Sequence, residues 1–269
     1  VAVCLEQKLT GTGRDFPVYH RLMYHFERAK NQKKYLKYCI KYVYTLFNRA
    51  HEYYPVVSEG PWLGAAGRLS PDSEDNSGIS GLLQRIEELV KANEGSFDQR
   101  DRQDYLSDYY HMMGRYYIRV ADYDRGLAYI QKLVEFNQPI DSEQCRKNLV
   151  KANRQQICVY MNRYEPGPMR ELVQSSIQLL TGHSKPEEMA IWNRLQGMGD
   201  IMTGDLTGSQ QQFVQAIDIF EHSMEKEQYR YNLAASYAGL GEVKRMQGDY
   251  EGALSCYEEA IANCKDYRL

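Results

Sequence analysis

The stretch GEVKRMQGDYEGALSCYEEAI, residues 241–261, carries two helical patterns that meet at Gly248-Asp249. Glycine accepts the left-handed backbone of a tight corner, and aspartate is a favoured first residue for the helix that follows. Gly241, Ala253 and Ala260 are small where two packed helices touch, and Tyr257 supplies the bulk that fills the crossing. The same slots recur elsewhere. A shift of 127 residues brings Tyr110, Met113, Gly114, Ala121-Asp122-Tyr123, Gly126, Ile130 and Leu133 under Tyr237, Leu240, Gly241, Gly248-Asp249-Tyr250, Ala253, Tyr257 and Ala260. A shift of 44 brings Gly197, Gly204, Ser209, Phe213 and Ala216 into register. The repeated pattern is a helix hairpin.

The rest of the chain keeps the helical period. In KKYLKYCIKYVYTLF (33–47), Tyr35, Leu36, Cys39, Tyr42, Val43 and Leu46 form one stripe, while Lys34, Lys37 and Lys41 take the other side. The pattern predicts helices at about 17–30, 33–47, 82–93, 101–119, 124–137, 142–162, 167–181, 187–203, 209–223, 229–246 and 250–264, with no alternating strand. The expected fold is all-α, a right-handed superhelix of antiparallel helix hairpins. Three parts are expected: an N-terminal helical hairpin region (1–54), a long loop (55–81) and a repeat array (82–269). The loop is rich in Gly, Ser, Pro and acids, with Trp62 and Leu63 as its apolar anchors.

The hairpin slots resemble the tetratricopeptide repeat: a Leu-Gly pair, a tight turn, then Ala, an aromatic and Ala at fixed offsets. Turns near 121, 165, 204 and 248 give a spacing of about 40–44, longer than the roughly 34 of the standard repeat. Departures are Lys244 for the usual aromatic, Lys265 for the closing Pro and Leu133 for a small residue. A second resemblance begins at Tyr24-His25-Phe26-Glu27-Arg28-Ala29-Lys30-Asn31, followed by Lys34 and Tyr38. It is similar to the hairpin that follows the ATPase module in STAND-type regulators and cyclase-associated ATPases, although Lys30 stands where Gly is usual. That resemblance implies the helical sensor arm of a multidomain signalling protein, with the stripe Ala2, Val3, Leu5 and Leu9 as the tail of the preceding module. VAVCLEQKLTGTG, at the start, has no initiator Met, so the sequence is expected to be a piece of a longer chain.

Composition narrows the function. The 33 Lys+Arg balance 36 Asp+Glu for a net charge of −3, against a whole-surface nucleic-acid binder. Residues 14–52 hold nine Lys/Arg and three acids; because Tyr35 and Tyr42 sit on the packing stripe, a positive face that meets an acidic neighbouring domain is favoured over nucleic acid. No run of 18 apolar residues is present, and no membrane partner is expected. The six cysteines, free of CxxC spacing, read as reduced thiols of a cytoplasmic protein.

Catalytic chemistry is not expected. Gly11-Thr12-Gly13 lacks the rest of a phosphate-binding loop. His20 and His25 are five apart, off metal-binding helical spacing, so neither a metal nor another cofactor is expected. Glu87-Glu88, Glu187-Glu188 and Glu258-Glu259 are adjacent acids that point apart on a helix. The remaining function is recognition by the concave side of stacked hairpins. In the repeat register the partner-facing slots are Asp108, His111, Arg115 and Arg119, then Arg194, then Glu242 and Arg245. Arginines there suit a carboxylate or an acidic peptide. Asn148, Asn193 and Asn232 could clamp a peptide backbone. The expected function is a non-catalytic protein-interaction or ligand-sensing arm of a larger cytoplasmic regulator. The alternative is a passive scaffold that holds a protein partner constitutively.

Overall fold

The computed structural model describes residues 1–10, 15–49, 76–101 and 105–264. The described residues are helical hairpins with no strand among them, as the sequence predicts. They divide into two compact units, one running to Ala152 and the other from Asn153 onward.

The first unit opens with α1 (Ala2–Glu6), α2 (Phe16–Arg28) and α3 (Gln32–Arg49). Leu5, Leu22, Phe26 and Tyr38 are buried together, with Ala2, Leu9, Val18 and Tyr35 packed around them. The apolar stripe of α1 therefore closes onto the α2–α3 hairpin, except Val3, which is exposed. Helix α4 (Asn76–Ala92) packs on α3 and buries Leu83, Ile86, Leu89 and Val90. It starts six residues inside the predicted loop, because Ile79, Leu82, Leu83, Ile86 and Val90 keep one helical stripe despite the glycines at 78 and 81. The remainder of that loop, with Trp62 and Leu63, and the Gly11-Thr12-Gly13 motif lie outside the described residues.

Within the predicted helix at 101–119 the described residues give α5 (Gln99–Asp101) and α6 (Ser107–Arg119), with 102–104 outside the described residues. The early turn is set by Asp98 and Asp101, each accepting the other's amide at 2.8 and 3.1 Å. Helix α6 pairs with α7 (Tyr123–Asn137), and α8 (Glu143–Asn162) follows. The second unit takes the rest of α8, then α9 (Pro166–Leu180), α10 (Pro186–Thr203), α11 (Leu206–Glu221), α12 (Lys226–Met246) and α13 (Tyr250–Cys264). Its final core gathers Phe213, Leu240, Val243 and Cys256.

The five hairpin corners among the described residues turn in the same way. Lys30, Ala121, Tyr164, Gly204 and Gly248 have φ of 53°, 62°, 57°, 82° and 83°. At each, the next amide reaches back five residues: Asn31 to Phe26, Asp122 to Tyr117, Glu165 to Tyr160, Asp205 to Asp200 and Asp249 to Lys244, at 2.8–3.0 Å. That is the bond that closes a helix over a left-handed residue. Asn31, Asp122, Asp205 and Asp249 then accept the amide three residues on and so cap the second helix. Glu165 makes no such bond; Pro166 starts α9 without an amide to satisfy.

The helices of a hairpin touch through glycine. A Cβ on Gly114 would collide with Ile130, on Gly197 it would meet Phe213 at 3.1 Å, and on Gly241 it would meet Tyr257 at 2.7 Å. In each case the partner lies at the same offset in the second helix, as the repeat register requires.

Candidate functional site

The first helices of successive hairpins carry most of the buried polar side chains. In the first unit, one cluster is built from α3, α6 and α8. Lys41 Nζ pairs with Asp108 Oδ2 at 3.1 Å, both groups half-buried. One turn along α3, Tyr44 Oη accepts from Lys151 Nζ at 3.1 Å, with the ammonium 5.5 Å from the ring centre. The Tyr44 ring also leans on His111, centroids 5.8 Å apart. Burial pushes the Tyr44 phenol up, against the pull of Lys151 and Arg115, so it remains a neutral hydroxyl. Lys151 thus bonds the phenol, whose electrostatic neighbours include Arg115 and Asp108, and Lys41 holds Asp108 from one turn away on α3. Such an arrangement favours an anion.

The predicted partner-facing slots are placed differently. His111 and Arg115 are each 6% exposed, and Arg194 in the second unit is 1% exposed. They lie deeper than the exposed slots expected of them, because neighbouring helices close over this face of α6 and α10. Asp108 sits at the rim in its ion pair, and Arg119 is exposed at the last turn of α6. Glu242 and Arg245 bond each other at 2.6 and 2.9 Å, and Tyr257 Oη of α13 donates to Glu242 at 3.2 Å. That pair is tied to the second helix of its own hairpin. The fold gathers Asp108, His111 and Arg115 with Lys41, Tyr44 and Lys151; Arg194, Glu242 and Arg245 belong to the other unit.

The asparagines divide likewise. Asn148 Nδ2 donates to Asn137 Oδ1 at 2.9 Å and so ties α8 to α7. Asn232 is buried, 3% exposed, on α12, deeper than a backbone clamp requires. Trp192, fully buried on α10, has the Arg154 guanidinium 5.5 Å from its ring. Two cations of α3 are paired with acids of their own unit: Lys34 with Glu6 at 2.7 Å and Lys33 with Asp101 at 2.6 Å.

Tyr44, Lys151 and Trp192 were not among the sequence-derived candidates. Lys151 is 107 residues from Tyr44, and nothing local links them. The one available signal was polarity: Lys41 and Tyr44 stand one turn apart on a helix otherwise read as packing.

Fold and site together define a helical-hairpin repeat protein. Residues 202–266 match the tetratricopeptide repeat family. Repeats of this family generally mediate protein–protein interaction and are generally non-catalytic. Among solved structures, the chain is similar to BtubC (BKLC) from P. vanneervenii, at 13% identity and a TM-score of 0.60, over 98% of this chain and 94% of that one. That likeness supports the fold. No curated protein matches the chain. No helix among the described residues is long and apolar enough to cross a membrane.

Proposed function

We propose that the chain is a non-catalytic recognition arm of a larger cytoplasmic signalling or transcriptional regulator, and that it takes an acidic peptide or carboxylate at the α3–α6–α8 cluster. The observation that carries this reading is the Lys151–Tyr44 bond beside the Lys41–Asp108 ion pair, one turn apart on α3. Lys41 and Lys151 are half-buried, close enough to the surface to receive a carboxylate and screened enough for the charge to matter. The buried His111 leans on the Tyr44 ring and helps to seat it. The wider context rests on the hairpin from Tyr24 to Tyr38 and its likeness to the segment that follows regulator ATPases. Occupancy would then bias the attached module by favouring the helix arrangement that binds better.

A panel of acidic peptides with free C-termini, followed by calorimetry and thermal melting, tests the site. Binding should raise Tm, and Lys41→Ala/Lys151→Ala should weaken it by about tenfold or more, since each charge-assisted hydrogen bond is worth roughly 1.5–3 kcal/mol. Equal affinity in the double variant, or no acidic peptide bound by the unaltered chain, removes the assignment.

A further inference from the structure

Helix α13 buries Ala253 and Cys256 against α12 and leaves a second stripe open. Tyr250, Leu254 and Ile261 are 71%, 60% and 63% exposed. They stand at i, i+4 and i+11, with half-buried Tyr257 filling the gap at i+7, so the four make one continuous apolar ridge. Scattered exposed apolar residues need no explanation, but a full-length ridge does.

The preceding hairpin shows what such a ridge is built for. The same register in α11 holds Leu206, Gln210, Phe213 and Ile217. There α12 covers it: Leu206, Phe213 and Ile217 pack with Leu240 and Val243, and Gln247 Nε2 donates to Gln210 Oε1 at 3.1 Å. At the border of the covered stripe, Glu221 accepts from Tyr237 Oη at 2.9 Å and faces Lys226 at 3.8 Å. The open ridge of α13 has an acidic edge of its own: Glu251 and Glu258 are exposed along it, where the register of α11 has Thr207 and Val214, and there is no Lys or Arg in 250–264. A repeat helix meant to face water carries a polar outer side, which α13 does not.

We propose that the α13 ridge docks an amphipathic helix of a partner protein, one bearing aliphatic residues flanked by Lys or Arg and a tyrosine. This is the chemistry with which α12 covers α11, and its cations complement Glu251 and Glu258. A second α13 is a poorer occupant, because it brings its own acids and no base. The proposal is independent of the α3–α6–α8 cluster.

The probe is a fluorescent peptide of sequence 226–246, acetylated and amidated, titrated against the intact chain by anisotropy. Saturable binding is expected, weakened about tenfold or more by Leu254→Glu/Ile261→Glu, since burying one such side chain already exceeds a tenfold step. Glu251→Lys/Glu258→Lys should weaken it by about two- to fivefold, an effect that added salt diminishes in the unaltered chain. All four positions are exposed, so melting temperature verifies that the variants fold. Absence of saturable binding, or equal binding by Leu254→Glu/Ile261→Glu, overturns the proposal. So does sedimentation that finds a dimer abolished by those two substitutions, which would make a second copy the occupant.

Discussion

Lys30, Ala121 and Tyr164 hold left-handed backbone that glycine holds at the other two corners. For a residue with a Cβ this conformation costs about 1–2 kcal/mol, and all three side chains are exposed, so little packing is lost on removing them. Glycine also loosens the unfolded chain, which offsets about 0.4–1 kcal/mol of the relief. Ala121→Gly and Lys30→Gly should therefore stabilise by about 0.5–1 kcal/mol, and Gly204→Ala should destabilise by about 1 kcal/mol. Urea midpoints at unchanged m-value measure both, and a lower midpoint for Ala121→Gly would contradict the corner's role. This scale also separates what the sequence discloses from what it conceals. Gly248-Asp249 announces a corner by composition, and Ala121-Asp122 does so by register. Lys30 and Tyr164 carry no signal of their own, since any residue can be forced left-handed by the helices on either side. His111, Arg115 and Arg194 were legible as first-helix slots, but their burial depends on neighbouring helices that the local pattern does not contain.

At the scale of helices, close approach is set by glycine and by the stiffness of what it meets. A Cβ at Gly114 strikes Ile130, which is fully buried and cannot withdraw. At Gly241 it meets the ring of half-buried Tyr257, which can swing outward. Overpacking costs about 1–3 kcal/mol, against a gain of about 0.5–1 kcal/mol from replacing a mid-helix glycine. Gly114→Ala should thus be clearly destabilising and Gly241→Ala much less so. Adding Ile130→Val to Gly114→Ala removes the clashing methyl and should recover part of the loss, a coupling that a double-mutant cycle detects. Independent losses would show that the helices do not meet there. Helix positions were almost wholly legible from apolar period, because a hairpin repeat sets its boundaries with local corner and cap residues. The early starts have local causes too: glycines disguised the start of α4, and the Asp98–Asp101 exchange begins a helical turn ahead of residue 101.

Across the whole chain, tyrosine hydroxyls recur as ties to glutamate: Tyr38 to Glu6 at 2.7 Å, Tyr129 to Glu87 at 2.8 Å and Tyr237 to Glu221 at 2.9 Å. Burial pushes Glu6 and Glu87 up, but the lysine and tyrosine bonds they accept outweigh it and hold both below the ordinary 4.5. The contribution of such depressed carboxylates is complete above about pH 4.5 and is lost as pH falls through their folded-state values. Tyr237 has the opposite sign. Burial, then the Glu221 carboxylate, pushes it from 10.0 to about 12, so its contribution is complete below pH 10 and drains between there and pH 12. Stability should fall at both ends of the pH scale, and Tyr237→Phe should flatten the alkaline fall; urea midpoints against pH measure it, and an unchanged alkaline limb would discount the tie. These ties, like the Lys151–Tyr44 bond, join residues far apart in the chain, and for that reason the candidate site was only partly readable beforehand. The sequence placed three of its members on α6 but could not supply the lysines and the phenol that α3 and α8 bring.

Trp192 has an optical consequence. Fully buried, it is the only tryptophan of the second unit among the described residues, and the chain has just one other, Trp62. The tyrosines of α6 and α7 instead crowd the first unit, where the rings of Tyr117 and Tyr129 stack 5.6 Å apart. In a Trp62→Phe chain, indole emission reports the loosening of α10 by itself, while near-ultraviolet tyrosine dichroism is weighted toward the first unit. Two wavelengths thus give each half of the molecule its own clock.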